Sequence, residues 1–488
     1  MSGIFGVVSN NNCISSLYYG TDYHTHLGTE YGGIAYFNEN GRPVKKIHHI
    51  SNSQFKSRFS EEGLKSSIGI GVISDKDPQP LTFESKFGSY ALCCAGLVTN
   101  KEELSKELIK RGISFYEISD QGEVNGTELV ASLINQGDSI IDGIEKMQKK
   151  IHGSVSLLLA TSEGIYAARD KNGVTPLVIG EKEGEIAIAS ETCAFPNLGF
   201  KIKKFILPGE IVFIGKNGIE TQKEGDNSSK ICAFLWIYTG FPASAYEGIN
   251  VETVRENCGR FLAKRDDVEA DVVAGVPDSG TAHAIGYSME SKIPFRRVLF
   301  KYSPGYGRSY TPPTQEIRDK IALMKLIANK ETIEGNRIIL CEDSIVRGTQ
   351  LKNFTITKLK NAGAKEVHIR PACPPLMFPC IYNLSTRSIE ELAARRAIRA
   401  LEGEDIEDVS EYLDPDSEKY KQMVGWIAKD LGVDSLQYML LDDMVEAIGL
   451  PRDKLCAYCW TGKEVQKKLK DKKLFDKFKE KVEEFILE

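Results

Sequence analysis

The densest chemistry in the chain lies in Ile338-Ile339-Leu340-Cys341-Glu342-Asp343-Ser344-Ile345-Val346-Arg347-Gly348-Thr349-Gln350. The apolar run Ile338–Cys341 reads as a buried strand. It ends in two adjacent acids, and a loop carrying Ser, Gly and Thr leads into a helix. Backbone N–H groups of such a loop and of the first helical turn form a nest for a phosphate, and the helix dipole adds to the attraction. Ser344 and Thr349 add hydroxyl donors, and Gly348 lets the backbone approach the phosphate closely. Two carboxylates beside a phosphate suit the hydroxyls of a ribose or the divalent ion that bridges them. The G-x-x-x-x-G-K-[ST] loop of nucleotide hydrolases is absent. Taken alone, the segment also reads as an ordinary strand-to-helix turn with exposed acids.

A second turn of this kind, Val276-Pro277-Asp278-Ser279-Gly280-Thr281, ends one apolar strand and opens another helix. Open α/β sheets bind ligands at such an edge. Between the two turns lies Lys301–Gln315, rich in Gly, Tyr, Pro and Ser, with Arg308 inside it. A connection of that length suits a lid, and lid closure excludes water from a reactive sugar phosphate. Near the C-terminus, Cys456-Ala457-Tyr458-Cys459 forms a C-x-x-C pair. By itself it fits a redox pair, half of a zinc site or chance, and no second C-x-x-C completes a zinc ribbon. The seven His show no metal-ligand spacing.

These residues need elements to carry them. A chain of 488 residues allows two to four domains and a large core. Strands such as Gly3–Val8, Gly32–Phe37, Ile68–Ile73, Tyr90–Val98 and Ser154–Ala160 make the first part β-rich, with helices at Leu104–Arg111 and Glu128–Gln136. A polar, turn-rich stretch from Lys216 to Ser229 separates residues 1–228 from residues 229–488. Beyond it, strands at Val272–Val276, Ile338–Cys341 and Val367–Arg370 alternate with helices at Val251–Lys264, Thr281–Ser288 and Lys352–Ala362. That alternation predicts βαβ units and a mainly parallel sheet. Residues 388–432 read as surface helices, and Val465–Leu487 as an amphipathic helix with a Lys-rich face. The formal charge of −6 argues against a nucleic-acid or anionic-membrane partner held by bulk charge. No apolar run reaches the length of a membrane span, and the first residues carry no secretory pattern. The expected location is the cytoplasm, where eleven cysteines need a role other than disulfides.

The phosphate segment resembles the phosphoribosyl-pyrophosphate (PRPP) signature of type I phosphoribosyltransferases. In the form Asp343-Ser344-Ile345-Val346-Arg347-Gly348-Thr349 it is similar to that of the amidophosphoribosyltransferase family. Pro277-Asp278-Ser279-Gly280 resembles the family's pyrophosphate loop. Gly307-Arg308, Pro313-Thr314-Gln315 and Met324-Lys325-Leu326 resemble its flexible loop and the segment after that loop. Gly3-Ile4-Phe5-Gly6-Val7-Val8, Arg169-Asp170-Lys171-Asn172-Gly173 and Ala189-Ser190-Glu191-Thr192-Cys193-Ala194-Phe195 are family-like too, so the likeness spans roughly 3–465. It implies an N-terminal-nucleophile (Ntn) αββα sandwich over 1–228 and a type I phosphoribosyltransferase α/β domain over 229–488. The implied PRPP contacts are Pro277, Asp278, Ser279, Gly280, Thr281, Ser344, Ile345, Val346, Arg347, Gly348, Thr349 and Lys325. Glu342, Asp343 and Arg308 take the catalytic roles. Ser279, Glu342 and Asp343 are the implied Mg²⁺ ligands, and Cys232, Cys380, Cys456 and Cys459 those of a [4Fe–4S] cluster. The remaining seven cysteines are expected to pack as small hydrophobes.

The N-terminal half departs from the family's glutaminase pattern. The family's nucleophilic Cys is Ser2 here, the Arg for the glutamine carboxylate is Ser74, the Asn of the oxyanion pair is Ala95 before Gly96, and the Asp for the substrate amine is Gly126. An oxyanion donor alone is worth ~10²–10³ in rate. Four altered roles imply a domain that does not hydrolyse glutamine. The transferase half has lost basic groups too, at Gly240–Ser244 and Leu323, and carries an acidic insertion near 400–425. The expected activity is transfer of ribose 5-phosphate from PRPP to ammonia or another amine. A PRPP-binding regulator without turnover and a glutamine-dependent enzyme using Ser2 are the other readings. A homo-oligomer (dimer or tetramer) and nucleotide effectors are implied by the resemblance alone.

Overall fold

The computed structural model describes residues 2–51, 53–226, 229–302, 324–382 and 389–463. The expected lid residue Arg308 and the C-terminal amphipathic helix lie outside the described residues. The chain forms two compact units. Residues 2–232, with Ala243–Gly248 and residues 381–382, make the first, and most of the remainder makes the second.

The first unit stacks two antiparallel sheets. In the seven-stranded sheet, Gly3–Ser9 runs between Glu185–Ala189 and Ile68–Ser74. In the six-stranded sheet, Gly88–Val98 lies between Leu81–Ser85 and Gly153–Ala160. The strand period sorts side chains to opposite faces. Ile4 and Val8 join Ile70, Val72, Cys93, Ala95 and Leu158 in the core between the sheets. Phe5 and Val7 pack outward against Leu17 and Tyr18 of the helix Ile14–Asp22. Leu104, Leu129, Ile144 and Met147, from three helices, cover the outer face of the other sheet. Helix, sheet, sheet and helix therefore layer as the expected sandwich. Near its N-terminal strand, buried Glu191 accepts hydrogen bonds from Ser244 Oγ (3.0 Å) and Tyr246 OH, and pairs with His26 Nε2 at 3.0 Å. Burial opposes that charge. His26 and Tyr246 outweigh it and hold the carboxyl at about 2.

The second unit carries a four-stranded parallel sheet in the order Val272–Gly275, Arg337–Glu342, Glu366–Pro371, Ser435–Leu436. Ile338, Leu340, Val367 and Ile369 share a core with Ala397 and Ile398 of the helix Ala393–Glu402 and Met423 and Ile427 of the helix Glu418–Leu431. Arg370 and Asp266 form an ion pair, each side chain 1% exposed, and Tyr287 OH donates to the same carboxylate at 2.6 Å. The expected single helix Lys352–Ala362 opens instead as a widened, π-type stretch over Leu351–Ile356, with α-helix over Thr357–Asn361. Thr357 Oγ1 donates to the Lys352 carbonyl at 2.8 Å, a local side-chain bond that competes with the regular ladder. Leu299–Lys301 and Leu326–Ala328 form a separate antiparallel ribbon. Among the described residues, no helix is long and apolar enough to cross a membrane.

Candidate functional site

Parallel register puts Gly275 opposite Cys341, so the two strands release their loops at one sheet edge. Val276 N–H donates to Cys341 O (3.0 Å), and Gly280 N–H closes the turn onto Val276 O (2.8 Å). The fit leaves no room for a side chain at Gly280, where a Cβ would stand 2.4 Å from Cys341 O. Ser279 Oγ thereby comes within 3.4 Å of Glu342 Oε1. Pro277–Thr281 and the acidic pair therefore lie side by side at this sheet edge.

The phosphate loop comes next in the chain. Ser344 Oγ donates to Asp343 Oδ1 at 2.7 Å, Ile345 anchors the loop in the core, and Gly348 turns it with φ +76°. Val346 O accepts from Ala393 N–H at 2.8 Å, and Arg347 O from Arg396 Nη1 at 3.0 Å. Arg347 pairs with Glu391, so its side chain is engaged away from the nest. Thr349 is exposed. The Lys325 carbonyl accepts from Tyr302 N–H at the ribbon, and this contact carries no direct tie to the phosphate loop.

Glu342 and Asp343 are 9% and 5% exposed. Burial, then the neighbouring Asp343, pushes the Glu342 carboxyl well above its ordinary range. Two buried carboxylates with one hydroxyl are an all-oxygen donor set. That suits a hard cation such as Mg²⁺, which completes its shell with substrate oxygens and water. Among the described residues, no group of three or more His, Cys, Asp or Glu is arranged to hold a metal by itself.

Cys380, Cys456 and Cys459 are buried around Tyr458, whose hydroxyl is pushed up by burial and then by Cys459, Cys380 and Cys456. Met377 and Phe378 N–H both donate to Cys459 O, at 2.9 and 3.0 Å, which ties the segment before Cys380 to the C-x-x-C turn. Cys232 ends the first unit, half-buried, with its N–H 3.5 Å from Val174 O. Thiolates are the donors that iron–sulfur clusters require, so the donor set fits in kind. The other seven cysteines are buried, and burial lifts Cys13 and Cys258 to about 12, which makes them inert fillers.

In the first unit, Ser2, Ser74, Gly126 and the Ala95-Gly96 bend are linked through a few buried partners. Ser2 Oγ stands 3.5 Å from Ser74 Oγ. Gln79 Nε2 donates to Ser74 Oγ (3.3 Å) and Cys94 O (3.1 Å), while Gln79 Oε1 accepts from Cys94 N–H and Thr127 Oγ1. Ala95 lies in the inter-sheet core and supplies no side-chain donor. Gly96 has φ +127°, and a Cβ there would lie 1.9 Å from Ser154 O. Gly126 N–H donates to Asp77 Oδ2 at 3.0 Å, and a Cβ on Gly126 would meet that oxygen at 2.9 Å. An acid from a different chain position thus stands beside the residue where the family places one. Sequence reasoning missed Asp77 and Gln79. Their only signal is a place just after the strand that ends in Ser74.

A glutamine amidotransferase domain model matches residues 65–197. The amidophosphoribosyltransferase of Methanocaldococcus jannaschii is 35% identical over 95% of this chain and 97% of its own length. That of Bacillus subtilis is 32% identical over 94% and 93%. Among solved structures, the B. subtilis glutamine PRPP amidotransferase complexed with ADP and GMP superposes with a TM-score of 0.80 at 31% identity, covering 94% of this chain and 96% of that one. A structure described as the allosteric regulatory enzyme of purine biosynthesis gives 0.80 at 30% identity, covering 94% and 95%. With relatives of this identity aligned over nearly their whole length, the chain belongs to the amidophosphoribosyltransferase family.

Proposed function

We propose that the chain transfers ribose 5-phosphate from PRPP to ammonia or another amine and does not draw its nitrogen from glutamine. The observation that carries the reading is the contrast between the two sites. The PRPP side keeps its acidic pair, both turns and the phosphate nest. In the glutaminase half, uncharged Ser74 faces Ser2 and Ala95 brings no oxyanion donor.

Ser344 to Thr349 bind the 5-phosphate through backbone N–H groups, and Pro277–Thr281 takes the diphosphate. Glu342 and Asp343 orient the ribose hydroxyls. Glu342, Asp343 and the Ser279 hydroxyl would hold Mg²⁺, which when bound would supply positive charge for the leaving diphosphate. The amine attacks C1 from the face opposite the departing group, and Arg308 serves as the lid cation. Cys232, Cys380, Cys456 and Cys459 would hold a [4Fe–4S] cluster, whose role would be structural. Nucleotide effectors belong to the same proposal, supported by the ADP and GMP bound in the B. subtilis structure, and a homo-oligomeric state is proposed from the family resemblance alone.

One observation favours a second reading, glutamine use through Ser2: the Asp77 carboxylate beside Gly126 supplies an acid for a substrate amine. Pyrophosphate release from PRPP with ammonia, with glutamine and with neither decides. Turnover with ammonia alone supports the proposal. Glutamine-driven turnover lost in Ser2→Ala supports the second reading. PRPP binding without any turnover makes the protein a regulator.

A further inference from the structure

We propose that Arg297 is the cationic side chain that receives the diphosphate of PRPP. The inference rests on the PRPP-dependent reading and adds a residue that the turn and the phosphate loop do not include.

A cavity of about 230 Å³ opens beside the Pro277–Thr281 turn. Gly275, Pro277, Asp278 and Thr281 wall one side, and Phe295, Arg297 and Leu299 the other. The second wall is extended backbone running beside the strand Val272–Gly275. Val273 N–H donates to Pro294 O (3.0 Å) and Arg296 N–H to Val273 O (2.9 Å). Alternate residues of such a segment share a face. Residues 295, 297 and 299 line the cavity, while Val298 is fully buried and Arg296 does not line it.

The lining carries one acid, Asp278, and one base, Arg297, and Lys301 stands just outside it. Asp278 is neutralised by Lys301 Nζ at 2.7 Å. Among the described residues, Arg297 has no such partner. Its contact is the ring of Phe300, 4.5 Å from the guanidinium carbon. A face-on cation–π contact holds the plane of the group and leaves its edge N–H donors for a ligand. An exposed arginine resting on an aromatic ring is, in most places, only a surface residue. Here it lines a concave space shared with a diphosphate-binding turn, and with Asp278 paired to Lys301 its positive charge is left uncompensated. The guanidinium fork matches the paired oxygens of a diphosphate. The amine acceptor is a poor occupant, because in-line displacement puts it on the face away from the leaving group, and a cationic wall repels a protonated amine.

The test is equilibrium binding to the full chain of two probes, inorganic pyrophosphate with Mg²⁺ and ribose 5-phosphate, in the wild type, R297Q, R297K and R296Q. The expected result is pyrophosphate affinity lowered about ten- to a hundredfold in R297Q, as for loss of charge-assisted hydrogen bonds. Ribose 5-phosphate affinity stays as in the wild type, R297K recovers part of the loss, and R296Q behaves as the wild type. Unchanged pyrophosphate binding in R297Q, or equal losses for both probes, overturns the role of Arg297. A wild type that binds neither PRPP nor pyrophosphate overturns the underlying reading, and with it this one. That failure is distinguishable because it precedes any substitution.

Discussion

Gly280→Ala tests whether the two turns must meet. A Cβ at this position would stand 2.4 Å from Cys341 O and 2.8 Å from Val276 N, both backbone atoms that cannot swing aside. Ordinary contact begins at 3.4 Å, so the turn has to retreat by about 1 Å from the strand that ends in Glu342. Ser279 Oγ, already 3.4 Å from Glu342 Oε1, then leaves hydrogen-bond range. A misplacement of about 1 Å in a reacting assembly costs on the order of 10²-fold in rate, which is ~2.7 kcal/mol of barrier. The assay is steady-state pyrophosphate release from PRPP with ammonia, reported as kcat/KM. A fall of about a hundredfold is expected, with ribose 5-phosphate binding retained because the phosphate loop lies on the other strand. Gly425→Ala is the control. It is exposed within the helix Glu418–Leu431 with nothing within 4 Å of its Cβ, and it gains ~0.5–1 kcal/mol of stability with turnover unchanged. Wild-type kcat/KM in a folded G280A protein would refute the coupling of turn and acidic pair.

Four further outcomes are expected. Ser2→Ala leaves ammonia-dependent turnover intact, and a loss there would show that Ser2 serves the transferase. Glu191 has its carboxyl lowered from 4.5 to about 2 in the folded state, so the stability it contributes is complete above pH 4.5 and is lost as pH falls toward 2; Glu191→Gln flattens acid unfolding over that window, and an unchanged curve would contradict it. Arg370→Met strands the buried Asp266 and costs ~3–5 kcal/mol in denaturant unfolding, whereas a loss near zero would mean water reaches the carboxylate. Protein purified without oxygen holds about four iron and matching sulfide per chain, and Cys456→Ser loses them; zinc in their place would refute the cluster.

Much of the candidate PRPP site's backbone was legible because its signals are local. An apolar run, two acids and a Gly-Thr turn fix a strand end, and Gly275 falls beside Cys341 as the second turn requires. Three strands of the seven-stranded sheet and two of the six-stranded sheet were legible, while Gly218–Lys223, in the stretch read as a turn-rich boundary, is a strand. The sheets' inner and outer faces were not legible, since Gly3–Ser9 is buried on both sides and shows no alternation to read. The widened helix after Gln350, which holds a Thr357 hydroxyl bond to the Lys352 carbonyl, is below the resolution of periodicity. Asp77 was invisible for a different reason. Its carboxylate reaches Gly126 across 49 positions of sequence, and spacing rules see only neighbours along the chain. Arg297 sits in the pair Arg296-Arg297, and only the cavity says which of the two matters.

The helix Ala393–Glu402 holds the loop after Asp343 from behind. A trans peptide is planar, and its C=O and N–H point in opposite directions. Ala393 N–H holds the Val346 carbonyl, and the Arg396 side chain holds that of Arg347. The N–H groups in those same two peptide planes, those of Arg347 and Gly348, are therefore turned away from the helix and fixed in aim. An outer helix thus sets the direction of two backbone donors, and, on the proposed reading, substitutions along it are expected to change phosphate affinity from behind the loop.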